Sequence, residues 1–203
     1  MLKIIHDPEI ASLGATVESF LQRLSGPTAI FIEGKDRSRT RAVCTLLHGN
    51  EPSGIHAIYQ YLSTGVKPAV NALFIIGSVQ AALTAPLFSH RTLPGKRDLN
   101  RCFKPPFEDQ QGETAGAILQ LIHSVKPEAL IDLHNTSGSG PAFGVSINGD
   151  ADHLALTSLF TNDLIVTDLR LGAIMEISER DVPTVTIECG GATDTSAKFV
   201  AQE

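Results

Sequence analysis

Three apolar runs constrain this chain more than any other feature, because each ends in a residue able to bind a metal or carry a proton. Ala42-Val43-Cys44-Thr45-Leu46-Leu47 leads into His48 and Glu51. Ala129-Leu130-Ile131 leads into Asp132-Leu133-His134, and Val185-Thr186-Ile187 leads into Glu188. A run without polar alternation reads as a strand covered on both faces, as at the centre of a parallel sheet. In such sheets ligands gather beyond the carboxyl ends of the strands. The runs would therefore bring two imidazoles and two carboxylates to one edge.

The remaining pattern supports that architecture. Asp7 and Pro8 read as a cap and first helical position, followed by one helix over 9–24 with Ile10, Leu13, Val17, Phe20, Leu21 and Leu24 on one stripe. Further helices are expected over 52–62, 113–125 and 152–160, with a last one starting at Asp194. Strands are expected over 28–33, 41–47, 70–76, 129–133, 143–147 and 184–189. Residues 34–39 read as a turn, and residues 77–112 as a long irregular segment of the kind that often carries function. Strands alternating with helices predict an α/β chain: a three-layer α/β/α arrangement around a mostly parallel, mixed central sheet. A length of 203 residues fits one domain spanning residues 1–203.

Composition removes several function classes. The formal charge is −6, and no Lys/Arg run or basic stripe invites nucleic acid. No apolar run approaches the roughly 20 residues that cross a bilayer. The segment Met1 to Asp7 is too short and polar for a signal peptide. Cys44, Cys102 and Cys189 are odd in number and lack framework spacing, so they read as reduced thiols of a cytoplasmic protein.

His48 and Glu51 stand three apart at a strand-to-helix junction, so both can turn toward one point. His134 supplies a distant third group. Two nitrogens and a carboxylate oxygen are the ligand set of a catalytic zinc ion, one per chain, with a fourth position open for water. Neutral imidazoles need acceptors for their second ring N–H, and Asp98 or backbone carbonyls are candidates. A carboxylate ending a buried strand needs a partner or a task. For Glu188 beside zinc, that task would be to take a proton from water and pass it to a leaving nitrogen. Arg97-Asp98-Leu99-Asn100-Arg101 offers planar forks and an amide suited to a substrate carboxylate. One arginine could instead steady an oxyanion, and Arg91 is a further candidate.

Together His48-Gly49-Asn50-Glu51, Asp98-Leu99-Asn100-Arg101, Asp132-Leu133-His134-Asn135-Thr136 and Glu188-Cys189-Gly190 resemble the aspartoacylase/succinylglutamate desuccinylase family, relatives of the zinc carboxypeptidases. The resemblance implies a zinc carboxypeptidase-like fold and Zn2+ on His48, Glu51 and His134. It implies Glu188 as general base and acid, and Asn100 and Arg101 gripping a substrate carboxylate. Arg97 and Asn135 are added as substrate-binding candidates, and Asp98 as a residue supporting the ligands. The family's oxyanion arginine lies shortly before the motif aspartate. Here that place holds Leu93, flanked by Arg91 and Arg97, and Arg91 is favoured for the role. The tyrosine and arginine that hold the acyl carboxylate in the family have no match; Arg180 is near but displaced. The family's β-rich C-terminal domain is expected to be absent, since the chain ends soon after Glu188.

The implied activity is a zinc-dependent amidohydrolase that cleaves an N-acyl amino acid or a similar small carboxylate-bearing substrate by Glu-assisted attack of zinc-activated water. A metallocarboxypeptidase or small-peptide amidase would use the same residues. A metal-binding or ligand-binding module without turnover is the reading from another class, and the presence of Glu188 argues against it.

Overall fold

The computed structural model describes residues 2–179 and 182–203. Among these residues, stretches rich in aliphatic and β-branched side chains build eight strands: β1 (Lys3–His6), β2 (Thr28–Ile32), β3 (Asp36–Thr45), β4 (Val70–Ile76), β5 (Leu130–Thr136), β6 (Phe143–Ser146), β7 (Leu164–Val166) and β8 (Thr184–Gly191). They form one sheet in the order β1-β2-β4-β3-β5-β8-β6-β7. β3, β4, β5 and β8 run parallel through its middle. The pairs β2–β4 and β6–β8 are antiparallel, which makes the sheet mixed, as the sequence predicts.

Among the described residues seven helices pack around it: α1 (Ile10–Leu13), α2 (Val17–Leu24), α3 (Ser53–Thr64), α4 (Val79–Leu83), α5 (Gln110–Val125), α6 (Ala151–Ser158) and α7 (Thr195–Val200). Successive strand side chains point to opposite faces, and the core divides accordingly. Ala42, Cys44, Leu73, Ile75 and Leu130 pack with Ala115, Ile118 and Ile122 of α5. On the other face Ile30, Phe74 and Ile76 pack with α2 and α3. Ile131, Leu133, Val185 and Ile187 meet Ala197 of α7 there. The result is the expected three layers, and α3 lies tight on the sheet at Gly54. A Cβ at that position would come within 2.2 Å of Thr45 Oγ1 and 2.8 Å of Leu133 Cβ.

Local chemistry changes several expected elements. The single helix over 9–24 is two, because Gly14 adopts φ +90° and Thr16 starts α2 with a capping box through Ser19. The expected turn at 34–39 mostly belongs to β3, whose pairing with β4 shifts register between Asp36 and Thr40. The irregular region 77–112 contains α4 and a 3-10 turn at Leu99–Arg101. Three further elements among the described residues were not expected: the edge strands β1 and β7 and a 3-10 segment at Ile174–Glu179. All three cysteines are free and buried. Among the described residues no helix is long and apolar enough to cross a membrane.

Candidate metal centre

The site begins where β3 ends. Leu46, fully buried, takes a left-handed conformation at φ 57°, which costs an aliphatic residue about 1–2 kcal/mol. Ser78 holds the bend: its N–H donates to Leu46 O at 2.6 Å and its hydroxyl donates to Leu47 O at 2.8 Å. The bend carries His48 over the strand end, and Glu51 follows just before α3.

His134 comes from the far end of β5, one residue past the last β3–β5 pair, Thr45 with Leu133. His48, Glu51 and His134 offer donor atoms that all lie within 4.8 Å of one another, and all three residues are buried. His48 Nδ1 is 2.9 Å from Glu51 Oε1, and His134 Nδ1 is 2.7 Å from Glu51 Oε2. The outer ring nitrogens face other carboxylates. His48 Nε2 is 3.0 Å from Asp98 Oδ1, and His134 Nε2 is 2.7 Å from Asp132 Oδ2.

This arrangement dictates where protons sit. With Nε2–H donated to its carboxylate, a neutral imidazole would turn its Nδ1 lone pair toward Glu51. Three acceptors then converge without a proton among them, and the buried His48 Nδ1 finds no hydrogen bond. A divalent cation fits such a donor set. The charges agree. Burial opposes charge on His134, but Asp132 and Glu51 outweigh it and drive its pKa well above the usual histidine value. Burial raises the Glu51 carboxyl, yet His134 and His48 more than offset that and hold it well below the usual range. A bound cation would take the place of the proton that His134 otherwise attracts.

Glu188 is the register partner of His134 on β8. Burial pushes its carboxyl pKa up, and although His134 opposes this, Glu51 and Asp132 add to the rise. Its buried Oε2 has no hydrogen-bond partner among the described residues. Such a carboxylate, adjacent to the ligand cluster and not tied into an ion pair, is equipped to exchange protons.

Arg91 is brought into the cluster. Its Nε and Nη2 donate to Asp98 Oδ2 at 3.2 and 2.9 Å, and Nη1 donates to Glu51 Oε1 at 3.3 Å. Nη2 also lies 2.6 Å from His48 Nε2. That contact cannot be a hydrogen bond while Nε2 carries the proton it gives Asp98, because a guanidinium only donates. The backbone secures the arginine's loop, with Gly49 N–H donating to Arg91 O at 2.9 Å. Burial would raise the Asp98 carboxyl, but His48 and Arg91 hold it well below the usual range.

Asn100 and Arg101 follow on the 3-10 turn capped by Asp98, whose Oδ1 accepts from Asn100 N–H at 2.8 Å. Asn100 Oδ1 accepts from Ile174 N–H, which leaves Nδ2 facing His134 Nε2 at 3.4 Å. Arg101 is exposed, donates to Asn100 O, and makes no ion pair among the described residues.

Two of the side chains expected to bind substrate are engaged within the protein. Arg97 is not delivered to the cluster: both Nε and Nη2 bond the Asp109 carboxylate at 2.6 Å, and Nη2 also donates to Pro106 O. It secures the loop before α5. The Asn135 side chain is likewise engaged within the protein. It accepts from Ser53 N–H and donates to Ser53 Oγ and Gly190 O, tying β5, α3 and β8 together. Its contribution to the centre is the backbone N–H, 3.2 Å from Glu51 Oε2. Arg180 lies outside the described residues. Sequence reasoning gave Asp132 no role, although an Asp-x-His spacing on a strand puts both side chains on one face.

Residues 38–202 match the model of the succinylglutamate desuccinylase/aspartoacylase catalytic domain. Among curated proteins no sequence matches the chain. Several solved structures share its fold. A succinylglutamate desuccinylase from Vibrio cholerae superposes with a TM-score of 0.70 at 16% identity, covering 94% of this chain and 68% of that one. A succinylglutamate desuccinylase/aspartoacylase from Rhodobacter sphaeroides gives 0.69 at 16% identity, covering 85% and 54%. A succinylglutamate desuccinylase from Chromobacterium violaceum gives 0.67 at 17% identity, covering 83% and 61%. The matched region thus spans little more than half the length of the last two proteins.

Proposed function

The chain belongs to the succinylglutamate desuccinylase/aspartoacylase catalytic-domain family, and on that premise we propose that it is a zinc-dependent amidohydrolase. Its substrate would be an N-acyl amino acid or a similar small molecule bearing a carboxylate. The observation that carries this reading is the convergence of His48 Nδ1, His134 Nδ1 and the Glu51 carboxylate, with both outer ring nitrogens on carboxylates. Two nitrogens and one oxygen are a zinc donor set, and zinc when bound polarises a carbonyl and activates water.

The chain's own residues do the rest. Glu188 removes a proton from the attacking water and returns it to the departing amine nitrogen. Arg91, at the edge of the cluster, donates to the carbonyl oxygen as negative charge develops there. The Arg101 guanidinium grips the substrate carboxylate as a fork, and Asn100 adds its Nδ2. Asp98 and Asp132 hold the imidazoles in the tautomer that binds metal.

A hydrolysis screen tests this with zinc-loaded and metal-stripped protein on N-acyl amino acids and dipeptides. Release of free amino acid from the acyl compounds, dependent on added zinc, is the expected result. No turnover of any amide would reject the reading, and faster turnover of dipeptides would place the protein with peptidases.

A further inference from the structure

We propose that Glu176 is a positioning residue for recognition of the substrate carboxylate: it fixes the turn at 171–173, and through that turn it sets the side chain of Asn100. This rests on the hydrolase reading above, in which Asn100 and Arg101 hold that carboxylate.

Three backbone donors meet on one oxygen. The N–H groups of Leu171, Gly172 and Ala173 all donate to Glu176 Oε1, at 2.6, 2.7 and 2.9 Å. Successive N–H groups turned to one point form an anion-binding concavity, and here the chain's own carboxylate fills it. Hydrogen bonds to an ionised acceptor are stronger than neutral ones. They hold a stretch that belongs to no helix or strand, just ahead of the 3-10 segment at Ile174–Glu179.

The next N–H along the chain serves Asn100. Ile174, fully buried, donates to Asn100 Oδ1 at 2.9 Å. A side-chain amide is planar, so fixing Oδ1 also fixes Nδ2, which lies 3.4 Å from His134 Nε2. While His134 Nε2–H stays on Asp132 Oδ2, that ring nitrogen cannot accept. Asn100 Nδ2 therefore keeps its N–H groups for a ligand.

The turn is also docked on the backbone that follows Asn100. Phe103 N–H donates to Gly172 O at 3.0 Å, and Lys104 Nζ donates to Arg170 O at 2.9 Å. Gly172, at φ +84°, permits the approach, since a Cβ there would lie 2.6 Å from Arg101 O. Among the described residues the Glu176 side chain bonds only this turn. Its influence on a substrate must therefore travel through Ile174 N–H to Asn100. Without the carboxylate, three N–H groups lose their acceptor and the turn is free to shift, taking the anchor of Asn100 with it.

The test uses zinc-loaded protein with N-acetyl-L-aspartate and N-acetyl-L-leucine for turnover, and their products L-aspartate and L-leucine for calorimetry. Glu176→Ala should raise KM and weaken product binding about fivefold for both, with kcat and zinc content little changed. Glu176→Gln keeps an oxygen acceptor and should recover most of that loss. In an Asn100→Ala background, Glu176→Ala should add less than about twofold, because residues acting in series are not additive. NMR supplies a readout that needs no substrate. The Asn100 side-chain NH2 signals, assigned by their disappearance in Asn100→Ala, should shift in Glu176→Ala and stay close to their place in Glu176→Gln. Unmoved Asn100 signals in Glu176→Ala would overturn the proposal. So would a Glu176→Gln variant as damaged as Glu176→Ala, or an undiminished Glu176→Ala effect in the Asn100→Ala background. Signals that shift as expected in a protein that turns over no amide would support the positioning role and remove the hydrolase reading instead.

Discussion

Asp132 and His134 lie two residues apart on one face of β5, with Asp132 Oδ2 2.7 Å from His134 Nε2. The aspartate is fully buried, and Thr186 Oγ1 also donates to Oδ2 at 3.4 Å. The pair fixes which imidazole nitrogen faces Glu51. Asp132→Asn should therefore weaken zinc binding by about 10- to 100-fold, with the protein still folded. Competition with a chromophoric chelator measures this; unchanged zinc affinity would deny the aspartate that function.

Glu188 makes no ion pair among the described residues and sits in register with His134. Replacing it with glutamine keeps the shape and removes the base. Turnover should fall by roughly two to four orders of magnitude while zinc content stays at one per chain. Near-normal rates in Glu188→Gln would assign the proton transfers to another group.

Arg97 and Arg101, close in sequence, should separate cleanly. Arg101→Lys replaces a fork with a point charge, so KM for carboxylate substrates should rise several-fold with a smaller change in kcat. Arg97→Ala should leave KM almost unchanged and lower the melting temperature, because Arg97 is bound to Asp109. A KM effect from Arg97 that matched the Arg101 effect would contradict this division.

That ion pair also predicts a pH dependence. The Arg97 guanidinium, helped by Gly112 N–H, holds the Asp109 carboxyl well below its usual pKa. The folded-state pKa is depressed, so the stabilisation is complete above the unfolded value near 4 and fades as pH falls through the folded one. Asp109→Asn should therefore lower the melting temperature at neutral pH and converge with the unmodified protein in acid. A constant difference between pH 7 and 2 would show that the carboxylate charge is not responsible. The pair is exposed to solvent, so the effect should be modest and weaker in high salt.

The sheet was legible because its central strands are continuous apolar runs, and Val70–Ile76 matches the expected strand. The convergence of His48, Glu51 and His134 was legible because they follow the ends of apolar runs. What local pattern did not reveal depends on geometry with no periodic signature. Gly14 breaks a convincing helical stripe through its own φ value. The three-residue strand β7 is too short to alternate. Arg97 and Asn135 stood in motif positions, yet their partners Asp109, Ser53 and Gly190 are set by tertiary contacts. Asp132 is the instructive omission. The spacing to His134 was visible, but only the fold shows that this carboxylate, not a backbone carbonyl, accepts the ring proton.

Anomalous diffraction at the zinc absorption edge, from crystals grown with one equivalent of zinc, tests the central claim most directly. The account predicts one strong peak within bonding distance of His48 Nδ1, Glu51 and His134 Nδ1, with no peak in a His134→Ala crystal. A dominant peak elsewhere, or one that persists undiminished without His134, would contradict it.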